Sequence, residues 1–139
     1  MADKLTPAER SENMRRIASK NTSPELAVRS AAHRLGYRFR LHRKDLPGKP
    51  DLVFPRLGKV IFVHGCFWHQ HKKAACKDAR LPKSRREYWV PKLTRNVERD
   101  KSNQRRLRRL GWKCLILWEC EVKDAERLER RLLQFLGEE

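Results

Sequence analysis

Between His64 and about Ser84 the sequence keeps no hydrophobic period and instead crowds together cysteine, histidine, lysine and aromatic residues. An irregular stretch of that length inside a small domain needs something to hold it. Cys66, His71 and Cys76 lie within it, and Cys120 follows the last predicted strand. Three thiolates and one imidazole have the softness and number of a closed tetrahedral zinc site, which would pin the loop to the sheet. The C-x4-H-x4-C spacing is not a common finger pattern. Two disulfides are the formal alternative, but nothing in the chain suggests an oxidising compartment. Cys114 shares parity with Ile116 and reads as a buried cysteine acting as a small apolar residue.

Caps, prolines and glycines punctuate the rest of the chain. Thr6-Pro7-Ala8-Glu9 opens a helix to about Ser19, with a capping residue, a proline at the first helical position and an acid three residues after the cap. Ser23-Pro24-Glu25 repeats the signature, and the helix it opens should face the core with Leu26, Ala27, Ala31 and Leu35 before stopping at Gly36. Tyr37, Phe39 and Leu41 alternate with arginines at the period of a half-buried strand. Asp51–Phe54 and Lys59–Val63 read as short apolar strands joined by a Pro55–Gly58 turn, a predicted hairpin. A helix is expected from near Pro91 to Leu110, with Tyr88 and Trp89 in the irregular stretch before it. A strand from Trp112 to Trp118 should turn Trp112, Cys114, Ile116 and Trp118 one way. A last helix from about Asp124 carries Leu128, Leu132, Phe135 and Leu136. The order α-α-β-β-β-α-β-α, with a strand, helix, strand passage near its end, predicts a parallel crossover in a mixed sheet. The fold class is α/β, a sandwich built around a hairpin.

A chain of 139 residues with 39% hydrophobic content buries one core and not two, so residues 1–139 form a single domain. Lys and Arg outnumber Asp and Glu by 34 to 17 and are spread along the chain, giving a net charge of +17. Such a charge points to a polyanion, and nucleic acid rewards each cationic contact by releasing counterions. No stretch approaches the length of a spanning helix, and no signal-peptide core or lipidation motif opens the chain. A soluble, unexported, cytoplasmic protein is expected, with no membrane partner.

In a hairpin the start of one strand lies beside the end of the other, so Asp51, the carbonyl of Val63 and His64 converge. A carboxylate with a backbone carbonyl is a hard oxygen site suited to Mg²⁺, and such an ion could activate water at a phosphodiester. From position alone, an Asp that merely ends the turn is the commoner explanation. Asn96 and Asp100 lie four apart beside apolar helix positions, where a carboxylate is costly without a partner; a solvated face explains them equally well. Glu25 is accounted for by the helix dipole alone. His69 could take a proton from water or steer a phosphate at the edge of an Asp51 site; a further zinc-site histidine or a plain surface residue is the alternative. Phe67 and Trp68, with Tyr88 and Trp89, are apolar residues away from core periodicity, though filling the core is the commoner use of such rings for either pair alone. In a basic chain such residues can wedge between base pairs, which is easiest at a weakened mismatch.

Ser11-Glu12-Asn13-Met14-Arg15, Leu46 to Asp51, His64 to His69, Tyr88-Trp89 with Asn96 to Asp100, and Trp118-Glu119-Cys120 together resemble the very short patch repair endonucleases, a bacterial family, over nearly the whole chain. The resemblance implies a restriction-endonuclease-like fold and Mg²⁺-dependent nicking 5′ of the thymine in T:G mismatches, which arise when 5-methylcytosine deaminates. It implies Asp51 and the Val63 carbonyl as Mg²⁺ ligands, His69 as the activating base, and Glu25, His64 and Asp100 as supporting catalytic groups. Structural Zn²⁺ would fall on Cys66, His71, Cys76 and Cys120. Phe67, Trp68 and Trp89 would form an intercalating wedge beside Asn96, with Met14 pressing from the minor groove on an arm of residues 1–20. A monomer acting on mismatched double-stranded DNA is expected, with mismatch-repair proteins as candidate partners. Two other readings use the same residues: a non-catalytic zinc module that binds distorted DNA, and a restriction enzyme making double-strand cuts.

Overall fold

The computed structural model describes residues 23–71 and 85–137. The expected first helix, Met14 and Cys76 lie outside the described residues. The elements are α1 (Ser23–Arg34), β1 (Arg40–Leu41), β2 (Leu52–Phe54), β3 (Lys59–His64), α2 (Arg86–Arg109), β4 (Lys113–Trp118), α3 (Glu119–Val122) and α4 (Ala125–Leu136). They form a mixed sheet in the order β1-β2-β3-β4.

The hairpin and the crossover form as expected. β2 and β3 pair antiparallel with Leu52 opposite Ile61, across a turn in which the Leu57 amide donates to the Phe54 carbonyl. β3 and β4 pair parallel, from Lys59 beside Lys113 to His64 beside Trp118. Strand pleating then sorts side chains to two faces. On one face Leu52, Phe54, Ile61 and Leu117 pack against Val28, Ala31 and Ala32 of α1 and Leu128, Leu132 and Leu136 of α4. On the other, Val53, Val60 and Phe62 meet Leu46 and Leu107, with Trp112, Cys114 and Ile116 beside them. Burial on both faces is why Val60 to Val63 is an unbroken apolar run. Each fully buried Leu contributes about 1.5–3 kcal/mol. Asp124 caps α4 by accepting from the Arg127 amide at 3.2 Å.

Three local expectations are corrected. α1 buries Glu25, Val28, Ala31 and Ala32, whereas Leu26 is 49% exposed and Ala27 faces solvent. The helix is rotated to bring an acid inward, which hydrophobic periodicity alone does not anticipate. The edge strand shrinks to Arg40–Leu41 and stops where the backbone turns to φ 51° at His42; Tyr37 and Phe39, expected within it, instead pack edgewise on Phe54. α2 begins at Arg86 and not near Pro91, which sits inside the helix, so Tyr88 and Trp89 belong to its first turns.

Candidate active site

The site forms where the hairpin, the loop after β3 and α2 meet. Asp51 immediately precedes β2, and its Oδ2 accepts from the Val63 amide at 2.6 Å. His64 ends β3 and is 4% exposed. The chain then winds into successive turns, with the His69 amide on the Gly65 carbonyl and the His71 amide on the Cys66 carbonyl. Two groups on α2, four residues apart and so on one face, fasten this loop. Asn96 Nδ2 donates to the Trp68 carbonyl at 3.3 Å, and Asp100 Oδ2 meets His69 Nδ1 at 2.5 Å. Asn96 and Asp100 therefore find their partners inside the fold.

A cleft of about 240 Å³ is lined by Gly48, Asp51, Val63, His64, His69 and Asp100, with Asn103 and Gln104 on its helical wall. Gly48 holds φ 76°, and a Cβ there would stand 3.0 Å from Asn103 Cβ and 3.2 Å from Phe62, so only glycine lets the loop close against α2. The Asp51 carboxyl is pushed up to about 7, chiefly by burial and further by the nearby Glu25 charge, with the Val63 amide, His69 and Arg29 opposing. His64 is driven down to about 3, mainly by burial and also by His69. Its ring is stacked on that of His69, with centroids 3.8 Å apart and planes 8° apart. A cleft that penalises a bare carboxylate and keeps an imidazole neutral suits a bound cation.

Glu25 is 2% exposed. Its Oε1 lies 2.8 Å from both Arg29 Nη2 and His42 Nε2. Glu25, His42 and Asp51 bring ligand atoms within 4.8 Å of one another, but the Arg29 guanidinium already supplies positive charge there. His42 has no motif around it and was missed by sequence reasoning. Its positive φ, uncommon outside glycine, is visible only in the backbone.

Cys66, His71 and Cys120 converge on a second point. His71 Nδ1 lies 3.8 Å from Cys66 Sγ and 3.4 Å from Cys120 Sγ. Three of the four expected zinc ligands are thus together, and these donors fit a soft divalent ion. Cys114 lies apart, half-buried against the α2 face of the sheet, and burial pushes its thiol up.

Phe67, Trp68 and Trp89 form an edge-to-face trio with centroids 5.2 to 5.8 Å apart. None of them joins either buried core cluster. All three are partly exposed, and the Lys92 ammonium lies 5.5 Å from the Trp68 ring centroid.

Comparison with known proteins fits this geometry. The family model described as DNA mismatch endonuclease Vsr matches residues 2–75. The type II nicking enzyme V.XorIIP of Xanthomonas oryzae pv. oryzae is 52% identical over 136 residues, 98% of each chain. The DNA mismatch endonuclease Vsr of Escherichia coli is 44% identical over 128 residues, 92% of this chain and 80% of its own. The type II nicking enzyme V.NmeAIP of Neisseria meningitidis is 39% identical over 138 residues, 99% of this chain and 96% of its own. A basic chain with a carboxylate and imidazole cleft at the end of a mixed sheet, matched along its length by such proteins, is a DNA endonuclease. The chain belongs to the Vsr family of DNA mismatch endonucleases. The reading as a non-catalytic module is set aside. Among the described residues no helix is long and apolar enough to cross a membrane.

Proposed function

We propose that this protein nicks one strand of duplex DNA on the 5′ side of the thymine in a T:G mismatch, the product of 5-methylcytosine deamination, and so opens very short patch repair. The observation that carries the reading is the Asp51 carboxyl and the His69 imidazole lining one cleft next to a solvent-reached aromatic trio. The first supports phosphodiester hydrolysis, and the second supports choice of a weakened base pair.

Asp51 and the Val63 carbonyl offer the hard oxygen donors that Mg²⁺ takes, and Mg²⁺ bound there would supply Lewis-acid stabilisation of the phosphate's developing charge. Asp100, at Nδ1 of His69, fixes the tautomer and leaves Nε2 as the atom that accepts a proton from the attacking water. The imidazolium that forms is stabilised by the same Asp100 carboxylate. His64, kept neutral by burial, adds no opposing charge to that step. Glu25 is oriented by Arg29 and His42 and makes the Asp51 region more negative. Cys66, His71 and Cys120, with Cys76, would hold a structural Zn²⁺ that fastens the loop carrying His69 and the wedge.

Phe67, Trp68 and Trp89 enter the stack, and Asn96 holds the Trp68 backbone in place as they do so. Met14 would meet the mismatch from the other groove. One active site in a monomer cuts one strand, and mismatch-repair proteins are the partners such a nick would engage. The test is a strand-resolved assay with Mg²⁺ on paired T:G and T:A duplexes. A single cut 5′ of the thymine, in the T:G duplex only, is expected. Equal cutting of both duplexes, or double-strand breaks, would overturn the reading.

A further inference from the structure

Trp118 has no part in the reading above, yet two ring systems meet on it. It pairs in register with His64 across the parallel β3–β4 ladder. The indole and the His64 imidazole meet edgewise, centroids 5.2 Å apart and planes at 78°. The His71 imidazole lies flat against the same indole at 4.2 Å and 10°. His64 lies flat against His69 at 3.8 Å. Four rings therefore run in contact from the Cys66, His71 and Cys120 cluster to the imidazole that shares the cleft with Asp51.

We propose that Trp118 is a positioning residue for strand cleavage, fixing the plane of His64 and through it that of His69. The inference deepens the proposed function and rests on His69 acting as the base. Asp100 holds His69 at Nδ1, and a bond at one ring atom leaves the imidazole free to rock about it. The face of His64 blocks that rocking. Nδ1 of His64 is buried and has no hydrogen-bond partner among the described residues, so that atom does not orient the ring. Its plane is set by its ring neighbours, Phe62 at 5.7 Å and Trp118. Aromatic pairs prefer offset-stacked or edgewise arrangements, so the indole restrains direction and does more than fill space. Its second contact, on His71, anchors that restraint to a cluster held by both the loop after β3 and, through Cys120, α3.

Trp118→Leu keeps apolar volume and removes the directional contact; Trp118→Phe keeps a ring. Single-turnover nicking at saturating protein is expected to fall about 10- to 100-fold in the Leu variant, the scale of a misplacement approaching 1 Å. DNA affinity should stay unchanged, and Phe should recover most of the loss. In ¹H–¹³C spectra the ring resonances of His64 and His69 should shift in the Leu variant while those of His33 stay fixed. The inference is overturned if the Leu variant cuts at the wild-type rate. It is equally overturned if losses in both variants only track the folded fraction, with the His69 resonances unmoved. His69→Ala separates the two levels. If it is inactive while Trp118→Leu cuts normally, the positioning role alone falls; if it cuts normally, the base assignment falls and takes the positioning role with it.

Discussion

The Val63 amide donates to Asp51 Oδ2 across 2.6 Å, joining the residue before β2 to the penultimate residue of β3. The bond holds the carboxyl in place without compensating its burial, and the group is pushed up from 3.8 to about 7. With its folded value raised, Asp51 favours folding less as pH climbs. The contribution of Asp51 to the stability of the metal-free protein falls by about 1.4 kcal/mol per pH unit between those two values and then levels. Asp51→Asn keeps an acceptor for the Val63 amide and removes the charge. It should therefore be about 2–4 kcal/mol more stable than the wild type at pH 8 in chelator, with the advantage shrinking toward pH 4. Urea unfolding across pH measures this. Equal stability at pH 8 would contradict it. Mg²⁺ should then stabilise the wild type and leave the Asn variant unmoved.

His64 produces the opposite slope. Burial lowers it from 6.5 to about 3, so its contribution is fully present above 6.5 and is lost as pH falls toward the folded value. In the wild type this slope and that of Asp51 oppose each other across their shared window. Asp51→Asn removes one of them, and the variant should lose about 1.4 kcal/mol per unit of acidification below 6.5. A flat profile for the variant between pH 6.5 and 4.5 would show that His64 is not held neutral.

The aromatic trio should govern discrimination more than general affinity. Trp68→Ala or Trp89→Ala should cost about 1–3 kcal/mol of binding to a T:G duplex, the scale of one base stacked on an aromatic ring. The effect on a matched duplex should be small, since backbone contacts dominate there. Competition anisotropy with the two duplexes decides this. Equal losses on both would reduce these rings to ordinary surface contacts.

The sulfur and imidazole cluster predicts one tightly held zinc per chain. Cys66→Ser should release it and destabilise the protein by at least about 3 kcal/mol, because affinity for a structural metal is folding free energy. Native mass spectrometry with thermal unfolding checks both. Protein purified without zinc, and a Cys66→Ser variant that melts with the wild type, would remove the metal from the account.

The hairpin was legible because its punctuation is local: Pro50-Asp51, the Pro55–Gly58 turn and the apolar run ending at Val63 leave few registers. The amphipathic α4 was legible for the same reason, since helical spacing fixes a face; that spacing put Asn96 and Asp100 on one side of α2 but left a solvated face equally open. The rotation of α1 was not. Leu26 and Ala27 look like core positions, but tertiary structure turns Glu25 inward to meet Arg29 and His42. Pro91 misled as a helix start because a proline is favoured at the first position, while the structure accommodates it inside α2. His42 and Trp118 matter through contacts made across the fold, and no spacing announces such contacts.

Whether Asp51 and His69 serve the same step can be measured directly with Asp51→Asn, His69→Ala and the double variant, in single-turnover nicking of a T:G duplex with Mg²⁺. Each single change should slow cleavage by about 10³-fold or more with DNA binding retained, and the double should be little slower than the worse single, as for groups acting as one unit. A single variant that cuts at the wild-type rate, or losses that multiply in the double, would contradict the shared role.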